Sequence, residues 1–170
     1  MSQPTSSSET DASPKIKSRD PADRIGIYKR LEDVPVHRRL SQYESEYKNR
    51  EVWDEFMEVV LLERYTSDRS IQDAKRAGRR WKDHMKTRGR HPALATPRDV
   101  ESWCQHLVNT LKIKTAYNSY WVRVERFYTW LYWHRSHPHC YNPVLMAAID
   151  GGASGQIWDE KIRRGNGGTQ

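Results

Sequence analysis

The sequence predicts an all-α protein, with four amphipathic helices packed as a small bundle, and three observations predict it. Apolar residues recur at three- and four-residue spacing over four long stretches. Ser or Thr starts and Gly or Pro stops punctuate those stretches. The alternation of a half-buried strand, hairpin turns and internal repeats are all missing. A length of 170 residues fits one compact domain with loose ends.

The first helix is expected to begin near Ser41, three residues before Glu44 in capping-box register, and to run to about Tyr65. Tyr43, Tyr47, Trp53, Phe56 and Val60 give it a broad inward face, and its seven carboxylates against three basic residues between Glu44 and Arg64 make it acidic. The second starts at Ser67 or Ser70, carries Ile71, Ala74, Gly78, Trp81 and Met85 along one seam, and ends at Gly89. The third has the clearest start: Thr96 as N-cap, Pro97 at the first helical position and Asp99 at the third, followed by Val100, Trp103, Cys104, Leu107 and Leu111 on one side. The fourth runs from about Lys114 to Arg135, with Tyr117, Tyr120, Trp121, Val124, Phe127, Tyr128 and Leu131 in its apolar arc, until Pro138 forbids continuation.

Residues 1–24 are rich in Ser, Thr, Pro and mixed charge, too polar to offset the entropy of ordering, and are expected to form a disordered tail. Six of the nine glycines fall between Gly151 and Gly168, so residues 150–170 read as a flexible Gly-rich tail with a short apolar island at Ile157, Trp158 and Ile162. The folded domain is expected at residues 25–149. Its longest apolar run, Val144 to Ile149, is far short of the ~20 residues of a bilayer crossing, and the first fifteen residues lack a secretory apolar core. Two cysteines make no disulfide framework, and Cys104 reads as a small buried hydrophobe, so the cytoplasm is the expected location.

A formal net charge of +7 favours polyanionic partners, and its placement carries more information than its size. Between Asp68 and Arg90 nine basic residues stand against three acidic ones. On a helix, Lys75, Arg79, Lys82 and Lys86 form one row beside the seam, while Arg76 and Arg80 stand further round. Opposite the apolar arc of the fourth helix lie Thr115, Ser119, Arg123 and Arg126, flanked by Lys114 and Asn118, with Glu125 the only carboxylate between Lys112 and Arg135. A run of charge is often only a solvated face. Two such faces on neighbouring helices would offer Lys and Arg to phosphates and Arg, Asn, Ser and Thr to base edges in a major groove. Tyr117 and Tyr120 are expected in the core more than as stacking platforms for bases.

From about Tyr43 to Pro143 the pattern resembles the N-terminal core-binding, SAM-like domain of tyrosine recombinases, the phage-integrase and Xer-type site-specific recombinases. The likeness is carried by the Ser67-Asp68-Arg69-Ser70 start and Thr87-Arg88-Gly89 end of the second helix and by Thr96-Pro97-Arg98-Asp99-Val100 opening the third. Thr115 near the start of the fourth, Arg126-Phe127-Tyr128-Thr129-Trp130-Leu131 at its close and the Asn142-Pro143 pair complete it. Ala74 and Gly78 depart from the family's larger seam residues, which implies thinner packing there, or a closer fourth helix with Trp81 filling the gap.

The resemblance implies a clamp-half that grips double-stranded DNA through its second and fourth helices. On that mapping Ser67, Ser70, Arg76, Arg79 and Arg80, with Lys114, Thr115, Asn118, Ser119 and Arg123, are the expected DNA contacts, and the charge pattern adds Lys75, Lys86 and Arg126. The family's strand cleavage belongs to a separate C-terminal domain with two Arg, a Lys, a His-x-x-Arg motif and a nucleophilic Tyr. Only 27 residues follow Pro143, and no His is followed three residues later by Arg. The expectation is therefore a non-catalytic module in DNA recombination or integration or its regulation, with no cofactor and no membrane. A full-length recombinase or a second copy is the other expected partner. The alternative is a protein-interaction module that docks through the acidic first helix and the island at Trp158. His134, His137, His139 and Cys140 lie within seven residues but match no common zinc spacing, and they read first as a basic, aromatic helix close.

Overall fold

The computed structural model describes residues 19–61, 63 and 67–167. The described residues form seven helices and several 3₁₀ turns, and no strand. The expected four-helix plan is thus exceeded, at both ends of the chain.

Two of the expected helices have their expected caps. Helix α3, Asp68–Arg88, starts where the Ser67 hydroxyl accepts the Ser70 N–H at 3.2 Å. It ends at Gly89, whose φ of +74° is open to glycine at no steric cost, with the Gly89 and Arg90 amides returning to Lys86 O and Met85 O. In α4, Pro97–Thr110, the Thr96 hydroxyl accepts the Asp99 N–H and the Asp99 carboxylate accepts the Thr96 N–H, a complete capping box. Asp99 is fully buried, and its Oδ1 also takes Arg88 at 2.7 Å and Arg90 at 2.8 Å, so one carboxylate ties the end of α3 to the start of α4. The connector between them is held from below: Trp81 Nε1 and the Tyr128 hydroxyl both donate to Pro92 O, and that hydroxyl accepts the Ala95 N–H.

The expected fourth helix is one helical stretch, α5, built of Ile113–Thr115, a wider π-type segment Ala116–Trp121, and Val122–Trp133. The expected first helix is broken. Ser41 lies in a 3₁₀ turn, Leu40–Tyr43, and makes no cap; α1 covers only Glu44–Tyr47; Asn49 turns the chain with φ +66°; and α2, Val52–Phe56, continues as π-type turns through Met57–Leu61. The break lets Tyr47 point into the core, where its hydroxyl hydrogen-bonds His137, while His91 Nε2 donates to Arg50 O beyond the turn.

The two expected tails differ most. Residues 1–18 lie outside the described residues, but residues 19–24 are part of the fold: Pro21–Asp23 packs on α6, Arg24 stacks over Trp158 and Ile25 is buried. At the other end α6, Pro143–Asp150, is capped by Asn142 and is buried along nearly its whole length. The stretch expected to be flexible is a helix, α7, Gly152–Gly167, packed on α4, α6 and the first half of α5. Glu101 of α4 caps it by accepting the Ala153 and Ser154 amides, each at 2.9 Å. Burial works the other way, yet those amides hold the Glu101 carboxyl below its ordinary pKa. Ile157 and Trp158 are core residues, and glycine enrichment misled because Gly151 and Gly152, both at positive φ, make the corner before the helix rather than dissolve it.

Candidate nucleic-acid interface

The seam of α3 is Ala74, Ala77, Gly78, Trp81 and Met85, all buried. Gly78 is small because the Trp53 indole of α2 lies against it, leaving no room for a Cβ. On one flank of the seam, Lys82 reaches Glu51, just before α2, at 3.3 Å and Asp54 on α2 at 3.9 Å. On the other flank the Arg80 guanidinium lies over the Tyr120 ring of α5, 4.9 Å from its centre. Lys82 therefore faces acidic residues at α2, and Arg80 faces α5.

Lys75, Arg76, Arg79, Arg80 and Lys86 are all exposed. Arg76 has a local partner in Asp73 at 3.0 Å, an exposed pair that a phosphate could replace at little cost. No carboxylate among the described residues pairs with Lys75, Arg79, Arg80 or Lys86. Ser67 is occupied as the cap of α3 and donates its hydroxyl hydrogen to Ser70, so both serines sit at the helix start as local capping groups.

On α5 the open face is short. Lys114, Thr115 and Asn118 are exposed and Ser119 is half-buried, whereas Tyr120 to Val124 are buried without interruption. Arg123 departs from its expected place. It is 8% exposed, and its Nη1 donates to Asn118 O at 3.2 Å and Ser119 O at 2.8 Å. The π-type turn displaces these carbonyls from regular helical pairing, and Arg123 folds back along its own helix to serve them instead of reaching outward. Arg126 lies two turns beyond Ser119, half-buried at the edge of a groove of about 440 Å³ lined by Val60, Glu125, Thr129, Trp130, Trp133 and His134.

Helix α7 brings further cations, from the stretch expected to be a flexible tail. Lys161 sits over Trp121 and Trp158, at 5.5 and 5.0 Å from the ring centres, and pairs with Glu125 at 3.3 Å. Arg164 lies 5.6 Å from the centre of the Tyr117 ring. Tyr117 and Tyr120 are core or half-buried residues, as expected, and each also carries an arginine from a neighbouring helix on its ring. The signal for α7 was the i, i+1, i+4, i+5 spacing of Ile157, Trp158, Lys161 and Ile162, a helical stripe hidden by the glycines on either side.

The His134 to Cys140 group is spread through the hydrogen-bond network of the α5–α6 corner. His137 meets Tyr47, His139 Nε2 donates to Ala93 O at 2.6 Å, and the Cys140 thiol points to Arg38 O at 3.8 Å. Among the described residues no three His, Cys, Asp or Glu side chains are grouped to hold a metal ion. Burial pushes His137 and His139 down from 6.5 to about 4, so both are neutral near pH 7. Cys104 is wholly buried and its thiol is pushed up to about 12 by that burial, which leaves it inert as a nucleophile at neutral pH.

Fold and surface together define an all-α protein with exposed cations along α3, and with Lys114 in the first turn of α5 and Arg164 near the end of α7. Compared with protein-family models, curated proteins and solved structures, the chain finds no match. No helix among the described residues is long and apolar enough to cross a membrane.

Proposed function

We propose that the chain is a non-catalytic module that binds double-stranded DNA and acts in DNA recombination or integration or its regulation. The observation that supports this reading is the contact of Arg80 with Tyr120, which sets one outer arginine of α3 against α5, beside its open turns. There Arg80, which pairs with no carboxylate among the described residues, lies against the helix that exposes Lys114, Thr115 and Asn118 and half-exposes Ser119. Phosphates would be met by the arginines and lysines through counterion release, and base edges by the short polar side chains of α5. The recombination context rests on the resemblance in the sequence to core-binding domains, and with it the proposal of a full-length recombinase or a second copy as a further partner.

The test is binding of the full chain to a 25-base-pair duplex from 50 to 300 mM monovalent salt. Log affinity should fall linearly with log salt, with a slope of about −4 to −6 if some five or six phosphates are contacted. Absence of binding at 50 mM, or affinity indifferent to salt, would reject the reading.

One observation favours a protein-docking role as a second reading, though not through the surfaces first expected. Trp158 is only 3% exposed and serves the core, while Trp133 is 76% exposed at the rim of the Val60–Trp130 groove. A large aromatic ring in water beside an apolar groove is the kind of anchor that protein interfaces use. Loss of a mixed complex with a recombinase on Trp133→Ala, with DNA affinity unchanged, would support it.

A further inference from the structure

Helix α7 ends beside the start of α5. Its residues contact both Ile113–Thr115 and Ala116–Trp121, and Arg164, in its last turn, lies over the Tyr117 ring at 5.6 Å from its centre. The neighbours of Arg164 on α7 are neutralised: Lys161 pairs with Glu125, and Arg163 makes a two-pronged pair with the buried Glu160 at 2.7 and 2.8 Å. Arg164 has no carboxylate partner among the described residues. A guanidinium placed over an aromatic ring by cation–π attraction spends none of its N–H groups on that contact, so they stay available to the oxygens of a phosphate. The contact also restrains the side chain and so lowers the entropy it loses on binding. Three residues further along α5, the Arg80 guanidinium lies over the Tyr120 ring.

From this juxtaposition we infer that α7 is a third wall of the DNA contact: Arg164, held over Tyr117 near the start of α5, binds a backbone phosphate in addition to those met by Arg80 and Lys114. The inference rests on the reading of the chain as a DNA-binding module. It extends the interface beyond the two helices named by the sequence, and makes the C-terminal helix part of the grip.

The experiment measures duplex affinity of the full chain against salt for wild type, Arg164→Ala, Arg164→Lys and Arg80→Glu. Arg164→Ala should reduce the salt slope by about one and weaken binding roughly eightfold at 0.1 M salt, the value of one released counterion. Arg164→Lys keeps the charge and should hold the slope near wild type. Equal slopes and affinities within twofold for wild type and Arg164→Ala, with Arg80→Glu strongly impaired, would overturn the inference and leave the DNA-binding reading standing. Failure of wild type itself to bind would overturn both. A readout independent of variant folding is modification of wild type by phenylglyoxal: duplex DNA should protect Arg164, and undiminished modification under saturating DNA would overturn the inference.

Discussion

The Trp53 indole rests against the α-carbon of Gly78, so that a Cβ on that glycine would overlap the ring. A glycine at mid-helix ordinarily costs about 1 kcal/mol relative to alanine, yet here the small residue is what lets α2 close on α3. Gly78→Ala should therefore destabilise the protein, by about 1–3 kcal/mol after the helix-propensity gain is subtracted. Thermal unfolding is the measurement. A melting temperature equal to or above wild type would mean that the indole can move aside.

Asp99 is the second structural pivot, because its buried carboxylate serves Thr96 N–H, Arg88 and Arg90 together. Both arginines are about one-third exposed, so water would take part of the load if the carboxylate were removed. Asp99→Ala should cost about 2–3 kcal/mol, from the lost capping box and the unpaired Thr96 amide. Asp99→Asn keeps an acceptor for that amide and should cost less. Urea unfolding of the two variants checks the order.

The pH dependence of stability follows from the buried imidazoles. His137 and His139 are both pushed down from 6.5 to about 4 by burial, with Arg50 and His134 adding to it at His137 and His91 and His137 at His139. Above pH 6.5 folded and unfolded chains both carry them neutral, and their contribution to stability is fully present. As pH falls from 6.5 towards 4 the unfolded chain takes up protons that the native state refuses, and stability drops by about 1.4 kcal/mol per pH unit for each imidazole. Glu101, whose folded pKa is lowered, adds a further loss below the ordinary carboxylate range. Unfolding free energies at pH 7, 6 and 5 should decline accordingly. His139→Gln, which keeps a donor for Ala93 O, should flatten the decline; an unchanged slope in that variant would rule out His139 as a source.

Much of this fold was legible in the sequence wherever local chemistry decided it. Ser67, Gly89, Thr96 with Asp99, and Pro97 act on their own backbone within a few residues, and each is found in its expected role. The expected first helix failed because its periodicity was real but its continuity was not. Tyr47 and Trp53 are drawn to different partners, His137 and Gly78, and Asn49 absorbs the turn between them. The C-terminal helix was missed because its stability comes from Glu101, fifty residues earlier, capping its first amides, which no local pattern can reveal. The candidate site divides in the same way. Exposure of Lys75, Arg76, Arg79 and Arg80 followed from helical phase, whereas the inward turn of Arg123 depends on a π-type segment that has no simple signature in residue spacing.

That division of the basic residues can be tested by separating affinity from stability. Lys82 already faces Glu51 and Asp54, so Lys82→Ala should leave duplex affinity within about twofold of wild type. Arg80→Glu places a carboxylate beside the open turns of α5 and should weaken binding at least tenfold at 0.1 M salt, by loss of one phosphate contact and repulsion of the next. Arg123→Met should do the reverse. It removes the guanidinium that serves the Asn118 and Ser119 carbonyls, lowering the melting temperature at a cost of about 1–3 kcal/mol, while the salt slope of DNA binding stays that of wild type. If Arg123→Met instead lowers the slope by about one without loss of stability, the guanidinium must swing out to a phosphate when DNA arrives, and the folded-back position would describe only the free protein.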